Sequence, residues 1–315
     1  MITDPLISII TPCLNRADYI SDAVESVVIQ NYENIEHIII DGGSTDETLD
    51  ILEQYSHLHV ISEKDQGLYD AINKGILLSK GEIVGLLNSD DCYPSDIFRE
   101  IKETFDHDSK ILGVVGSAVI RRKDTVGNWI DVKTIPSIPK SELLNRVTQG
   151  TPVTNAWFFR RHVFEQIGYF DHNYQVSADA DFFIRFAIAN LPYSSIDQVN
   201  YYYRQHPGSL TFKQDFTPEG QSWIENREIA EVYLSKPDIP QPELLLIRSW
   251  HSNITARQFL NALRRLDIKS AVIYFAMGIR TNAYWPLFLI SRVANSIQYR
   301  SRMNNQDRRV SPNDK

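Results

Sequence analysis

The chain has 315 residues, 43% of them hydrophobic and 23% charged, which is ordinary for a soluble globular protein. Its two cysteines, Cys13 and Cys92, exclude a disulfide framework and favour a reducing compartment. The net charge of −8 is unevenly distributed, because residues from Glu243 onward carry +8 and the first 242 carry −16. Since the body is acidic, we expect no nucleic-acid partner. The N-terminus lacks a basic and apolar leader, so we expect a cytoplasmic protein.

Strand and helix patterns alternate over the first 120 residues. Buried strands are predicted at 6–11, 35–40, 59–62, 81–87 and 112–119. Helical periods lie between them at 20–28, 49–52, 68–78 and 97–105. This alternation predicts an α/β fold with a mostly parallel, doubly wound sheet that is flanked by helices.

The order of elements changes after residue 120. Strands are predicted at 129–134, 156–159 and 195–203, and helices at 141–146, 161–167 and 179–189. From Thr217 the pattern is helical and is broken only at prolines. We therefore predict a domain over 1–215 and a helical, basic C-terminal extension over 216–315.

The most apolar part of the extension is 271–290, which Arg280, Asn282 and Pro286 interrupt. A spanning helix needs about 20 largely apolar residues, so this segment does not read as one. Its basic residues alternate with aromatic and aliphatic ones. Two interpretations stay open: helices that lie on a membrane surface, which would make the protein peripheral on the inner membrane face, and helices that pack on the body.

Polar clusters follow four of the predicted strands, at 11–16, 41–46, 65–75 and 88–91. The carboxyl ends of parallel strands meet at one edge of a sheet, so the clusters are expected to converge. Asp90 and Asp91 end a buried strand, where paired carboxylates are costly without a positive partner. A divalent cation that holds a phosphorylated substrate is the simplest partner, and a solvated turn is the alternative.

The glycine fingerprints of two nucleotide-binding classes, the dinucleotide oxidoreductases and the P-loop proteins, are absent. Asp41 is well placed to accept hydrogen bonds from a base or ribose, and Gly42 and Gly43 allow close backbone approach. A tight turn that caps a helix is the alternative there. Lys74 and Gly75 also read as a lysine and a glycine that end a helix.

These clusters together resemble glycosyltransferase family 2, the inverting, nucleotide-sugar-dependent enzymes of the GT-A fold. The resemblance covers about residues 6–210 in four ordered blocks: Ile9-Ile10-Thr11-Pro12 with Asn15, Ile40-Asp41-Gly42-Gly43-Ser44-Thr45-Asp46, 65–75, and Leu87-Asn88-Ser89-Asp90-Asp91.

The resemblance implies nucleotide contacts and a divalent metal ion, Mn²⁺ or Mg²⁺. The base would meet Asp41, and Lys74 would face the nucleotide or its phosphates. Asp90 is the first choice as metal ligand and Asp91 the second, while Asn88 departs from the family's D-x-D pattern. His206 would approach the metal or the diphosphate, or else is a solvated loop histidine. The implied nucleotide-binding residues are Thr11, Pro12, Asn15, Asp41, Gly43, Ser44, Lys74, Asn88 and Ser89.

The resemblance also implies a catalytic base in the block Ala178-Asp179-Ala180-Asp181 with Arg185. Matching Arg185 to the arginine of the family's Glu-Asp block puts Asp179 on the base, although Ala178 replaces the usual Glu. Asp181 is the alternative, and the two side chains point roughly 200° apart on a helix. Either could simply be a helix N-terminal acid.

The implied function is transfer of a single sugar from a nucleotide sugar, with UDP favoured, to a saccharide or lipid-linked saccharide acceptor with inversion. Such transfer would serve cell-surface polysaccharide biosynthesis. Gln149, Trp157 and Phe158 are candidates for acceptor binding, with a core position equally open for Trp157. The competing hypothesis is a non-catalytic sugar-nucleotide-binding or scaffold protein. A nucleotidyltransferase would want a glycine-rich loop that 11–16 lacks.

Overall fold

A mixed eight-stranded sheet forms the centre of the N-terminal part of the computed structural model, which describes residues 5–150, 153–207, 209 and 220–290. The strands are β1 (Ile7–Cys13), β2 (Ile35–Asp41), β3 (Leu58–Ser62), β4 (Ile83–Leu86), β5 (Gly113–Lys123), β6 (Trp129–Ile135), β7 (Trp157–Arg160) and β8 (Tyr193–Gln205). The helices of this part are α1 (Ile20–Val28), α2 (Thr48–Leu52), α3 (Leu68–Leu78), α4 (Ile97–His107), α5 (Leu143–Gln149), α6 (His162–Ile167) and α7 (Ala178–Ile188).

The α/β prediction is confirmed, but the sheet is less parallel than expected. Strands β3, β2, β1 and β4 are parallel neighbours. Strand β7 then pairs antiparallel with both β4 and β5, so β5 keeps the direction of β4 without touching it. Strand β8 pairs parallel with β5, and β6 pairs antiparallel with it. The carboxyl ends of β1, β2 and β4 therefore share one edge with the end of β8.

The chain forms two compact units, Met1–Asp215 and Phe216–Lys315. The described helices of the second unit are α8 (Gln221–Leu234), α9 (Gln241–Arg264) and α10 (Ile268–Thr281). Ring contacts among Phe259, Phe275 and Trp285 tie α9, α10 and the following turn together. Across the described residues, no helix is both long enough and apolar enough to cross a membrane.

Some predictions fall outside the described residues. Six of the basic residues of the extension do so: Arg292, Arg300, Arg302, Arg308, Arg309 and Lys315. The start of the predicted helical pattern, at Thr217, does as well.

Gly75 lies inside α3 and does not end it, so the alternative of a helix-ending Lys74-Gly75 pair is wrong. The helix continues to Leu78, and Gly75 faces β1. A Cβ atom at Gly75 would lie 2.3 Å from Cγ2 of Ile10, which is fully buried in β1. The glycine therefore lets α3 approach the sheet, and α3 carries residues of the candidate site.

We predict that Gly75→Ala destabilises the fold by about 1–3 kcal/mol, because the added methyl overpacks the contact with Ile10. Denaturant unfolding measures the change. Gly150→Ala is the matched control, since a Cβ there has no neighbour within 4 Å and its φ of 164° is extended backbone. Equal stability of Gly75→Ala and wild type would contradict this account of α3 packing.

Candidate functional site

Two loops at the carboxyl edge of the sheet are joined by hydrogen bonds. Asn15 follows β1 with a φ of 51°, and its backbone N–H donates to Ser44 Oγ at 2.8 Å. Its side-chain Oδ1 accepts from the backbone N–H of Thr45 at 2.8 Å. The N–H of Arg16 donates to Thr48 Oγ1 at 2.8 Å. The structure thus brings the first two predicted blocks together.

Asp41 is the centre of the second loop. Its carboxylate is fully buried and accepts hydrogen bonds from Gly43 N–H, Ser44 N–H and Ser62 Oγ at 3.1, 3.0 and 2.6 Å. The Ser44 hydroxyl donates to its other oxygen. Gly43 adopts a φ of +91°, which favours glycine. In this arrangement Asp41 shapes the turn, and contact with a base would require replacement of one of these bonds.

Three other predicted nucleotide residues are buried or form ion pairs within the protein. Thr11 and Pro12 are buried in β1, and Thr11 Oγ1 is 2.9 Å from His37 Nε2. Lys74 forms ion pairs with Glu63 at 2.9 Å and Asp70 at 3.4 Å, so its charge is balanced within the protein.

Asp91 is fully buried behind the end of β4. Its carboxylate accepts hydrogen bonds from Tyr201 OH at 2.6 Å, Arg204 N–H at 2.7 Å and Asn88 Nδ2 at 3.2 Å. Burial first, and then the neighbouring charge of Asp90, raise the pKa of Asp91 well above its ordinary value. Because both oxygens are engaged, a metal ion at Asp91 would require replacement of one of these bonds, and the second choice stays a prediction.

Asp90 contacts two basic side chains instead. Its Oδ2 lies 3.1 Å from His206 Nε2 and 3.5 Å from Arg16 Nε. The ring of Tyr19 stacks on His206 with centroids 4.2 Å apart and helps to hold the imidazole there. Ser89, the remaining predicted residue of this block, is buried beside them.

A carboxylate oxygen suits Mn²⁺ or Mg²⁺ when substrate phosphates complete the coordination, and an imidazole nitrogen favours Mn²⁺ over the harder Mg²⁺. In the part of the chain that the structure describes, no group of three or more His, Cys, Asp or Glu side chains converges on a metal position. A pair of protein ligands, Asp90 and His206, is what the geometry offers.

A cavity of about 570 Å³ opens beside Asn88, between the start of α3 and the start of α7, and we call it the α3–α7 cavity. Asp179 lines it, partly exposed, from the first turn of α7. Other lining residues are Gly67, Tyr69, Ile72, Thr154, Tyr201 and Tyr203. The cavity is therefore large enough for a sugar-sized ligand against one carboxylate.

Burial raises the pKa of Asp179 to about 6, against hydrogen bonds from Ala180 N–H, Thr154 and Tyr69 that lower it. The Ala180 N–H to Oδ1 distance is 2.8 Å, and the Thr154 Oγ1 to Oδ2 distance is 3.2 Å. Asp181 instead forms an ion pair with Arg185 at 2.9 Å and does not line the cavity. The geometry therefore separates the two aspartates and puts Asp179 where a reacting group could sit.

One wall of the α3–α7 cavity is held in place by two polar side chains. Arg185 donates to the backbone carbonyls of Ile167, Gly168 and Tyr169. Asn73 forms a paired hydrogen bond with the backbone of Phe170, at 2.7 and 3.1 Å. The segment that follows, which includes His172 and Gln175, completes the lining.

Two of the three candidates for acceptor binding lie in the core, which for Trp157 is the alternative that the sequence left equally open and for Phe158 makes the prediction wrong. Trp157 and Phe158 are fully buried in β7 and pack in an aromatic core, because β7 is covered on both faces. Gln149 is exposed at the end of α5 but does not line the α3–α7 cavity.

Sequence reasoning missed Tyr201 and Thr154. Tyr201 OH bonds Asp91 and also accepts from Asn88 N–H and Asn155 Nδ2. The run Tyr201-Tyr202-Tyr203 inside a predicted strand was the available indication, since a buried tyrosine needs a hydrogen-bond partner. Thr154 had no comparable pattern around it.

The model of the family described as "Glycosyl transferase family 2" matches residues 8–168, just over half of the chain. The chain is 25% identical over 219 residues to "Uncharacterized glycosyltransferase EpsJ" of Bacillus subtilis (66% of this chain, 63% of that protein). It is 32% identical over 189 residues to "PGL/p-HBAD biosynthesis glycosyltransferase" of Mycobacterium bovis (58% of this chain, 69% of that protein). The matches thus span about two thirds of these relatives.

Two solved structures share the fold. S. aureus TarS 1-349 in complex with UDP-GlcNAc has a TM-score of 0.62 and 19% identity, covering 88% of this chain and 81% of TarS 1-349. The mannosyltransferase PcManGT from Pyrobaculum calidifontis, in complex with GDP-Man and Mn²⁺, has a TM-score of 0.56 and 16% identity, covering 94% and 88%. At these identities the likeness shows the fold alone. With the family match over residues 8–168, the chain belongs to glycosyltransferase family 2.

Proposed function

We propose that this protein transfers a single sugar from a nucleotide-diphosphate sugar to an acceptor hydroxyl with inversion. The observation that carries the proposal is Asp179, a carboxylate of raised pKa in the α3–α7 cavity, which Asn88 also lines. The site combines a candidate base, a cavity and a carboxylate that could bind a cation. These are the groups that a displacement reaction at a sugar carbon needs.

The donor is proposed to be UDP-linked, with its nucleotide on the joined loops of Asn15 and Ser44. The UDP-GlcNAc complex of TarS supports a uridine donor, and the GDP-Man complex of PcManGT keeps a guanosine donor as the competing choice.

Asp90 and His206 are proposed to hold a divalent metal ion, for which the Mn²⁺ in the PcManGT complex is a precedent in the same fold. When bound, the ion would neutralise charge on the leaving diphosphate. Arg16, 3.5 Å from Asp90, would add positive charge beside it.

Asp179 acts as the general base in this mechanism. Its carboxylate accepts the proton of the acceptor hydroxyl while that oxygen attacks the anomeric carbon from the face opposite the diphosphate. Hydrogen bonds from Ala180 N–H and Thr154 hold the carboxylate in one orientation. Its pKa of about 6 keeps it deprotonated at neutral pH and a better base than an exposed aspartate.

The acceptor is proposed to be a saccharide or a lipid-linked saccharide in cell-surface polysaccharide biosynthesis. The mycobacterial relative, whose printed name refers to PGL/p-HBAD biosynthesis, supports a role in glycoconjugate assembly. The α3–α7 cavity offers Tyr69 and Tyr203 as rings that can pack against a sugar face.

We predict that Asp179→Asn lowers turnover by about 10²–10⁴-fold, because the amide cannot take the hydroxyl proton. The wild-type rate should fall as pH drops below about 6, since protonation then removes the base. The assay follows UDP release from a UDP-sugar panel, with water or added saccharides as acceptor, between pH 4.5 and 8.5 in about half-unit steps.

Asp181→Asn is the matched control, because it removes the neighbouring carboxylate and its ion pair with Arg185 but leaves the cavity carboxylate. It should keep the acidic limb of the pH profile. UDP binding should be equal in both variants. A wild-type rate and pH profile in Asp179→Asn would contradict the assignment.

The C-terminal extension is proposed to rest on a membrane surface that carries the acceptor. Helix α10 exposes an apolar face, with Ile268 61% and Val272 63% accessible, and Phe275 and Ile279 in line with them. In a globular helix that face is normally buried. Lys269 and Arg280 border the face, and α10 contains no Asp or Glu, so an anionic lipid surface complements it.

We predict that the full chain cosediments with phosphatidylglycerol vesicles and much less with phosphatidylcholine vesicles. Val272→Ser with Ile279→Ser should weaken binding about tenfold or more, because apolar area leaves the bilayer. Val126→Ser with Val132→Ser, which changes two exposed valines of the β5–β6 hairpin, is the control. Equal binding by both double variants would contradict a role for α10.

A further inference from the structure

A second cavity, of about 440 Å³, lies beside His206 and the β5–β6 hairpin, and we call it the hairpin cavity. Tyr19, Trp129 and His206 contribute rings to its lining. Arg122 and Lys123, at the end of β5, contribute two cations. The proposed mechanism uses none of these residues except His206.

Neither Arg122 nor Lys123 forms an ion pair within the described part of the chain, in contrast to Arg121, which pairs with Asp131 at 2.7 Å. Among the described residues that line the cavity, none is an Asp or a Glu. Lys123 Nζ lies 5.2 Å from the centroid of the Trp129 ring, so this ring already holds the ammonium group over the cavity. A concave space lined by basic residues, with the Lys123 ammonium group beside Trp129, favours an anion.

The aromatic rings that line the hairpin cavity indicate which kind of anion it could bind. Trp129 is partly buried, and the guanidinium of Arg204 also lies 5.2 Å from its ring centroid, which helps to hold the ring in place. Tyr19 is fixed by its stack on His206. Rigid aromatic rings suit the apolar face of a sugar, and a guanidinium with an ammonium suits phosphate oxygens.

We propose that the hairpin cavity binds a phosphate-bearing saccharide, and that this is the phosphorylated end of the acceptor. The inference rests on the proposed transfer, because it names the class of acceptor. His206 links the two places, since its ring lines the hairpin cavity while its Nε2 lies 3.1 Å from Asp90. A phosphate held there would anchor the acceptor beside the donor site.

The test is a ligand-observed NMR titration of the full chain with methyl α-glucoside 6-phosphate and with methyl α-glucoside, which differ only in the phosphate. Both titrations are run with saturating UDP and Mg²⁺, so that the donor site is filled. We expect the phosphate ester to bind about tenfold tighter or more than the neutral glucoside.

Arg122→Gln and Lys123→Gln should each remove most of that preference, and Trp129→Leu should weaken both ligands. Lys133→Gln is the matched control, because it removes one positive charge from the same hairpin. Lys133 is exposed on β6 and does not line the cavity. UDP affinity should be unchanged in all four variants.

Equal affinity for the two glucosides would overturn the inference. It would also be overturned if Lys133→Gln reduced the preference for the phosphate ester as much as Lys123→Gln does. Abolition of phosphate binding by UDP, or weaker UDP binding in Arg122→Gln, would assign the cations to the donor and overturn it as well. Phosphate binding at the hairpin cavity in a protein that binds no UDP would uphold this site while contradicting the proposed transfer.

Discussion

A buried carboxylate, that of Asp91, fixes the geometry of the candidate site. It receives hydrogen bonds from Tyr201 and from the backbone of Arg204, and so joins the end of β4 to β8, more than 100 residues away in sequence. An unpaired buried carboxylate would be costly, so these donors are needed for the fold itself. The neighbouring Asp90 contacts His206, which follows the strand that holds Tyr201, and its Oδ2 lies 3.1 Å from Nε2 of that histidine.

The aspartates of the candidate site differ in their contacts, and these contacts decide what each carboxylate can do. Asp41 is saturated by loop donors and acts as a structural centre. Asp90 keeps an oxygen toward an imidazole and a guanidinium, which suits a cation and a diphosphate. Asp179 faces a cavity with few compensating charges, so burial raises its pKa. Asp181, two residues on, is neutralised by Arg185.

Much of this could be predicted from the sequence, because strand ends and polar clusters are local patterns. The helical period predicted a helix at 68–78, with the bounds that the structure has. The predicted strand ends also placed Asn15, Ser44 and Asp90 at one edge of the sheet. Which strands become neighbours depends on tertiary pairing, so the insertion of β7 between β4 and β5 was not visible. Burial of Trp157 follows from that insertion, and this burial excludes Trp157 from acceptor binding.

Other features needed three-dimensional contacts. The engagement of Asp91 comes from donors on β8 that no spacing rule connects to it. The role of Gly75 appears only when the position of Ile10 is known. The hairpin cavity joins Tyr19, Trp129 and His206, which are far apart along the chain.

The central claim is that this sheet edge binds a nucleotide with a divalent metal ion held by Asp90. The most direct measurement is a thermal-shift panel of UDP and GDP, with and without Mn²⁺, on wild type and Asp90→Ala. A ligand at 100 times its dissociation constant adds about 2.7 kcal/mol of stability, which moves the midpoint measurably. The account predicts a metal-dependent shift with one nucleotide that Asp90→Ala loses. The absence of any shift with either nucleotide, at every metal concentration, would contradict it.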